Sequence, residues 1–450
     1  MAEDFTEITV ERIRLALGSA RIQDALAILN DLHPVDRAEV FNQLESDEQV
    51  QLLGLLDVPV AADLLEEMED EDVLDAVEGL HPDRLADVLD EMEPDEAADL
   101  LGDLPPQAAS EALARMEDAD EVIPLLGYPD ETAGGLMTTS YIGLRRQTTV
   151  RQAIEFMREI SPETEVPFYL YVVDREKRLM GVVGFRELVI SSPSVTMENI
   201  MDRELISVQV GVDQEEVARV MSRYDLNAVP VVDEQGRLLG VITHDDIVEV
   251  LEDEATEDIY RLANMTDTDL DPQSKIGAQI RGRLPWVFLN ALTALFASWV
   301  ITNFEGIIAK VAILAAFQSM VAGLGGNSAS QNMAMIVRAL ALGNLDSRRT
   351  GRILSKQIIL GILQGVVVGT IIGIGVGLWQ QNAYLGLILG LAMLGNMIVA
   401  AVIGTVVPLG LRAMGIDPAL GSSVLVTAAT DSAGFFIFLT LATWFIHRLS

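Results

Sequence analysis

The sequence has no cysteine. Disulfides, thiolate metal sites and cysteine nucleophiles are therefore excluded. Histidine is nearly as scarce: His33, His81, His244 and His447 are too dispersed for a histidine zinc site. Basic residues are also few, 30 against 68 acidic ones, for a formal net charge of −38. A surface so acidic repels phosphate, so no nucleic-acid partner is expected. The N-terminal MAEDFTEITV has no apolar signal region, which predicts that the first half stays in the cytoplasm.

The acidic excess is confined to one part of the chain. Residues 276–450 hold 10 Lys/Arg and 4 Asp/Glu, a balance of +6, which leaves −44 on residues 1–275. The basic half is also where charge disappears for long stretches. No charged residue occurs from Leu284 to Phe304, from Val311 to Val337, or across the 55 residues from Gln357 to Leu411. From Pro418 to His447 the one charge is Asp431. A bilayer core takes about 20 apolar residues per helix. The first, second and fourth runs fit one helix each, and the third fits two, divided near Gln380–Tyr384. Five spans are predicted, at about 284–304, 310–340, 355–379, 385–411 and 419–446.

Basic residues orient such a bundle. Lys275, Arg281 and Arg283 precede the first span, Arg348, Arg349, Arg352 and Lys356 separate the second and third, and Arg412 lies between the fourth and fifth. With five spans all fall on the side of the acidic half. The opposite loops hold Glu305, Lys310 and a neutral QQNAY, with Arg448 as an exception at the C-terminus. This predicts a multi-pass protein of the cell (plasma or inner) membrane, in contact with membrane lipid, with cytoplasmic N-terminal domains.

The acidic half is periodic. Leu32, Leu44, Leu56, Met68, Leu80, Met92, Leu104 and Met116 recur every 12 residues, with Pro34, Pro59, Pro82, Pro94, Pro105 and Pro106 near the starts of units. Proline suits a first helical turn, where its missing N–H has no helical partner. Each unit reads as a turn plus a two-turn helix, and stacked units make a helical solenoid. Further on, short β-rich runs FYLYVVD (168–174), LMGVVG (179–184), AVPVVD (228–233) and LLGVIT (238–243) alternate with the amphipathic TVRQAIEFMREI and DQEEVARVMSRY. The segments VVDREKRLMGVVGFREL and VVDEQGRLLGVITHDDI align with each other, so a strand–helix–strand–strand–helix unit occurs twice. This resembles a tandem pair of CBS domains.

CBS pairs often bind adenosine nucleotides, with a ribose contact from Ser/Thr-x-x-Asp after the last strand. Thr243-His244-Asp245-Asp246 fits that pattern, whereas Gly184-Phe185-Arg186-Glu187 lacks the hydroxyl. Tyr169 is a candidate to stack a base and Arg186 to meet phosphate. ATP or another adenosine nucleotide is one reading; a CBS pair serving as scaffold alone is the other.

In this order, acidic repeats, CBS pair and five spans resemble the MgtE family of magnesium channels and transporters over nearly the whole length. The segments that carry the resemblance are 213–259, AGLGGNSASQN (322–332), GIDPAL (415–420) and TDSAG (430–434). Ser319 and Val424 stand where family members usually have Pro, and Ser330 and Ser423 where some have Asn. The implied architecture is multidomain: an α-helical solenoid at 1–130, α/β tandem CBS domains at 131–250 (about 137–197 and 198–250), a connecting helix at 251–275, and an all-α five-helix transmembrane domain at 276–450. The resemblance also implies a homodimer, which would pair pore carboxylates, and Mg²⁺ as the ion.

Asp431 is the acidic residue placed well inside a span. A charge there costs about 2.5–3.5 kcal/mol on insertion scales and generally faces a cavity or an ion path. Thr427 and Ser423, one and two turns earlier, extend a polar stripe. Gly323, Gly325, Gly326 and Asn327 are expected to weaken the second span, opening carbonyls to a water-filled path; close helix packing is the competing account. Ser330 is a lesser pore candidate. No GxxxxGK[ST] motif is present, so nucleotide-driven pumping, like catalysis in general, is not expected.

Residues 249–258 are acidic and lead from the CBS pair towards the membrane. The resemblance implies that Glu249, Glu254, Glu257 and Asp258 face Asp213, Glu215, Asp225 and Asp246, with Asp63, Asp95 and Asp99 of the solenoid directed at the same interface. Asp417, at the start of the fifth span, is placed to meet the connecting helix. Crowded carboxylates repel unless cations occupy the gaps, so internal Mg²⁺ is expected to draw these domains together and close the pore. Two alternatives stay open: transport of another divalent ion such as Mn²⁺ or Co²⁺, and a non-conducting membrane sensor of Mg²⁺ or nucleotide.

Overall fold

The computed structural model describes residues 2–19, 21–68, 70–160, 169–265, 276–341, 345, 350–420 and 422–449. Lys275, Arg348, Arg349 and the 266–275 part of the expected connecting helix lie outside the described residues. The chain divides into two compact units, Met1–Leu251 and Glu252–Ser450.

The first unit opens with α1 (Ala2–Gly18) and continues through short helices to α10 (Ala119–Val122). The 12-residue repeat is visible in α3 (Pro34–Asn42), α5 (Val58–Glu66), α7 (Pro82–Leu89), α8 (Pro94–Asp103) and α9 (Pro106–Leu113), each with proline at its first or second position. The repeating Leu and Met are buried or half-buried. Such short helices leave many terminal carbonyls without helical partners. Two arginines, the buried Arg37 and the half-buried Arg84, answer several of them. Arg37 donates to the carbonyls of Leu29 (3.1 Å), Leu32 (3.2 Å) and Val60 (3.4 Å). Arg84 does the same for Leu53 and Leu56. His33 and His81 stand at helix N-caps, and the His81 ring accepts from the Asp83 N–H.

Two three-stranded sheets follow, each one parallel pair plus one antiparallel hairpin. The first contains β1 (Ile142–Arg145), α11 (Val150–Ile160), β2 (Tyr169–Val173), β3 (Leu179–Gly184) and α12 (Phe185–Ile190); α13 (Met197–Ile200) follows it. The second contains β4 (Val208–Gln209), α14 (Gln214–Tyr224), β5 (Ala228–Val232), β6 (Leu238–Thr243) and α15 (His244–Leu262). Equivalent aspartates, Asp174 and Asp233, shape the two hairpin turns by accepting backbone N–H bonds. Those bonds hold both carboxyls below the ordinary range.

The solenoid and the second CBS repeat share a core. One apolar cluster runs from Val10 to Val250 and includes Val217, Val229 and Ile242, whereas Leu144, Leu170 and Val183 belong to a separate core in the first repeat. The connection at 131–139 explains this. Ala133 donates to Val212 (2.7 Å), and Thr138 and Val241 exchange backbone bonds of 2.9 and 3.0 Å. A Cβ at Gly240 would stand 2.6 Å from the Thr138 carbonyl, so glycine there permits the approach. The limit between the two units, at Leu251, falls inside α15, which is continuous from His244 to Leu262.

The second unit is helical: α16 (Ile276–Thr302), α17 (Glu305–Ile308), α18 (Ile313–Ala341), α19 (Thr350–Trp379), α20 (Ala383–Ala413), α21 (Ser422–Trp444) and α22 (Ile446–Leu449). Among the described residues, α16, α19, α20 and α21 are long and apolar enough to cross a membrane. The helix α18 has the length, but its Gly-Gly-Asn-Ser-Ala-Ser-Gln-Asn stretch makes it less apolar. It packs against α20 and α21. A central helix has little lipid to face, so it tolerates polar residues that an outer span would not.

Candidate functional site

Two groups of residues, one in each unit, are the candidates. The first is in the helical bundle. Asp431 lies nine residues into α21, about 14 Å along its axis at 1.5 Å per residue, and is half-buried. Thr427 is half-buried one turn before it. Ser423, two turns before, donates to the Asn264 side chain at 2.7 Å. Thr430 is fully buried and bonds back to the carbonyls of Val426 (2.9 Å) and Thr427 (3.1 Å). A Cβ at Gly326 would lie 3.9 Å from the Thr430 hydroxyl, which places Gly326 of α18 beside Thr430 of α21, the residue before Asp431, while Asn327 is exposed. Ser330 is half-buried one turn further along α18.

The expected weak point at Gly323–Asn327 is not unwound: α18 is continuous from Ile313 to Ala341. Gly325 serves close packing, whereas a Cβ at Gly323 would meet nothing within 4 Å. Asn396 of α20 is 1% exposed and donates from Nδ2 to the Val321 carbonyl at 2.8 Å. A Cβ at Gly325 would fall 2.0 Å from that nitrogen, and one at Gly434 would fall 2.7 Å from it. Asn396 is therefore wedged between α18 and α21, immediately beside the Gly326–Thr430 contact. Sequence reading missed it; an isolated asparagine between Gly395 and Met397 in a charge-free span was the available signal.

Asp417 and Glu257 meet through a residue that sequence reading also missed. Arg261, near the end of α15, donates to Asp417 at 2.5 Å and pairs with Glu257. Within the second unit these two acids are thus joined by a guanidinium. Asn264, just beyond α15, has a left-handed φ of 61° and carries the bond to Ser423. The end of α15 is fastened to the start of α21 at two points.

The second group is in the first unit. Asp95, on α8, is 6% exposed, and its Oδ1 is buried without a hydrogen-bond partner among the described residues. Burial, then the charge of Asp246, pushes its carboxyl up to about 8, although the Thr138 hydroxyl offsets part of this. Glu96 is pushed up to about 9 by burial and by Asp95, Asp99, Glu249 and Glu66. Asp246 is raised by burial, even though it accepts from the Thr243 N–H (3.0 Å) and hydroxyl (2.9 Å). A cavity of about 20 Å³, enough for one water, is lined by Glu96, Asp99 and Asp103 with Leu65, Met92 and Leu100. Buried carboxylates that raise one another call for a proton or a cation. Among the described residues, no three His, Asp or Glu side chains are grouped closely enough to hold a metal ion directly.

The remaining expected sensor residues lie elsewhere or have local duties. Asp213 caps α14 by accepting from the Glu215 N–H at 3.0 Å; Glu215 pairs with Arg219 at 3.0 Å; Asp225 ends the same helix with φ of 55°. Asp63 is exposed on α5, and Glu254 and Asp258 are half-buried on α15. Of the four nucleotide candidates, Tyr169 pairs with Gly184 in the first sheet, next to Arg186. Thr243 pairs with Ala228 at the corresponding end of the second sheet, so Gly184 and Thr243 occupy equivalent positions. Tyr169 packs on the cluster of Tyr171, Val173, Leu238 and Val241 that joins the sheets.

Comparison with known proteins covers the domains that hold the two groups. The divalent cation transporter domain MgtE matches residues 318–441, the MgtE intracellular N domain matches 32–131, and CBS domains match 133–192 and 197–253. The magnesium transporter MgtE of Thermus thermophilus is 35% identical over 92% of this chain and 93% of its own. That of Bacillus subtilis is 31% identical over 97% of both. A crystal structure of the soluble part of a magnesium transporter is 33% identical, with a TM-score of 0.51 over 56% of this chain and 99% of its own. A crystal structure of the cytosolic domain of the Mg²⁺ channel MgtE in complex with ATP matches equally well, at 33% identity and 0.51, over 54% of this chain and 99% of its own. With identity above 30% along nearly its whole length and all three domain types in order, the chain belongs to the MgtE family of magnesium transporters.

Proposed function

We propose that the protein is a homodimeric channel of the cell membrane that admits Mg²⁺ down its electrochemical gradient, with its N-terminal domains in the cytoplasm. Mg²⁺ sheds its water shell reluctantly. One Asp431 from each protomer, paired across the dimer axis, suits an ion held through its waters. Thr427, Ser423, Ser330, Asn327 and the Gly326 backbone orient those waters. The transport test is Mg²⁺ uptake by proteoliposomes with Mn²⁺ or Co²⁺ as competitors. Asp431→Ala abolishes uptake on this reading, and persistent uptake refutes the pore assignment.

We propose further that cytosolic Mg²⁺ closes the channel. The observation that carries this is the buried Asp95 Oδ1, without a hydrogen-bond partner among the described residues, on a carboxyl that feels the charges of Asp246 and Asp99 and adjoins Glu96, which feels Glu249. Hydrated Mg²⁺ bridging those carboxylates stabilises the packed arrangement of solenoid and CBS repeats. When cytosolic Mg²⁺ falls, repulsion loosens that packing and α15 releases the start of α21. Cation binding must favour the packed state over the loosened one, since equal binding shifts nothing. Asp63, Asp213, Glu215, Asp225, Glu254, Glu257, Asp258 and Asp417 supply the surrounding negative field. The domain limits on this reading are 1–130, 131–250, 251–275 and 276–450, with α15 crossing from the second into the third and ending at Leu262. An adenosine nucleotide at the CBS pair uses Tyr169 and Arg186 from one repeat and Thr243 and Asp246 from the other. Its test is ATP binding by the full chain with and without Thr243→Ala.

A further inference from the structure

The groove between α19 and α20 has no part in ion passage or in the acidic cluster, and its volume is about 480 Å³. It arises from the way the two helices meet. A Cβ at Gly369 would lie 2.6 Å from the Gly390 carbonyl, and one at Gly373 would lie 2.7 Å from the Gly386 carbonyl. Backbones this close push the larger flanking side chains apart. Val366, Thr370 and Ile374 form one wall, and Leu387 and Leu391 the other. From Gly365 to Leu378 the furrow follows the helix for about 20 Å at 1.5 Å per residue.

Its depth is marked by aromatic residues. Trp379 ends α19, Tyr384 opens α20 and Trp444 ends α21, and the two tryptophans are 73% and 75% exposed. Tyr384 meets Phe445 with ring centroids 6.5 Å apart, so these ends lie together, at the end of α21 remote from Asn264. Aromatic residues gather at the membrane–water interface. The groove starts at that level, with Gly377 and Ala383, and runs from there along α19 and α20, both apolar enough to cross a membrane. An empty apolar furrow there forfeits dispersion contacts that a hydrocarbon chain would make.

The mouth of the groove is basic. Arg448 of α22 sits with its guanidinium 5.5 Å from the Tyr384 ring centroid, and Tyr384 directly follows Ala383 of the groove. Arg448 is exposed and forms an ion pair with no carboxylate among the described residues; His447 is exposed beside it. An arginine at this end of the bundle is the exception to the charge asymmetry that orients the spans.

We propose that this groove is a binding site for one anionic glycerophospholipid of the non-cytoplasmic leaflet. An acyl chain lies in the α19/α20 furrow, and the phosphate pairs with Arg448, which Tyr384 holds at the rim. The test uses the full-length chain in vesicles containing phosphatidylglycerol with a photoreactive acyl chain, followed by peptide mapping. Label concentrates on residues 365–394 and falls several-fold in Arg448→Ala. Photoreactive phosphatidylcholine labels the same peptides several-fold less. Ile374→Trp, which fills the furrow from its wall, removes the label while thermal unfolding and Mg²⁺ uptake stay unchanged. Label spread evenly over all lipid-facing helices, or unaffected by Arg448→Ala, overturns the proposal. Because the chain has no cysteine, Ile374→Cys is a unique reporter. Disulfide formation between two copies at that position also overturns it, by showing that a second chain covers the groove.

Discussion

Asn396 donates a hydrogen bond to the Val321 carbonyl at 2.8 Å, and the two glycines it presses against, Gly325 and Gly434, flank the pore candidates Gly326 and Asp431. Adding a methyl at either glycine forces Asn396 to move. Overpacking of this kind costs about 1–3 kcal/mol. Gly325→Ala and Gly434→Ala are each expected to lower the thermal midpoint in detergent and to reduce Mg²⁺ uptake. Asn396→Ala in the Gly325→Ala background removes the clash, so the double mutant is more stable than the sum of the singles. Strict additivity would show that Asn396 does not wedge these helices.

Asp95 gives a pH prediction with a defined sign. Its carboxyl is raised from the ordinary 3.8 to about 8, so the folded state holds a proton that the unfolded chain releases. That contribution is complete below pH 3.8 and is lost as pH rises through about 8. Without Mg²⁺, hydrogen exchange in α8 is expected to accelerate as pH rises through that window. Asp95→Asn flattens the dependence, and Mg²⁺ at high pH restores protection. Exchange that is insensitive to pH and to Mg²⁺ would mean the cluster bears no strain.

The Arg261–Asp417 pair is about two-thirds buried on each side, at 31% and 28% side-chain exposure. Partial screening limits such a pair to about 1 kcal/mol. Arg261→Ala is expected to raise protease sensitivity near residue 264 and to weaken closure at high cytosolic Mg²⁺. Exchanging the charges, with Arg261→Asp and Asp417→Arg together, restores part of the protection. Equal protease sensitivity in all variants would remove α15 from the gate.

Much of the architecture is legible because it rests on periodicity. A leucine or methionine every 12 residues forces stacked short helices, and proline marks their starts. The duplicated VVD…GVV/GVI hairpins specify two sheets. Asp431 stands out as a candidate because one carboxylate in a long apolar run has few structural uses. Other features depend on partners remote in sequence. Asn396 lies 75 residues from Val321, and Arg261 lies 156 from Asp417. Gly325 is ambiguous in sequence for the same reason: helix weakness and close packing share one composition, and the facing Asn396 decides for packing there. Within the acidic field, a helix-capping aspartate such as Asp213 and a buried one such as Asp95 differ in burial rather than in sequence, so the sequence alone does not separate them.

The most direct test of the account is Mg²⁺ uptake by proteoliposomes as Mg²⁺ on the side of the N-terminal domains is raised through the millimolar range, with Asp431→Ala as the blank. The account predicts that uptake falls steeply as Mg²⁺ on that side increases, at constant driving force. Uptake that stays constant across the range, or that persists unchanged in the Asp431→Ala blank, would contradict it.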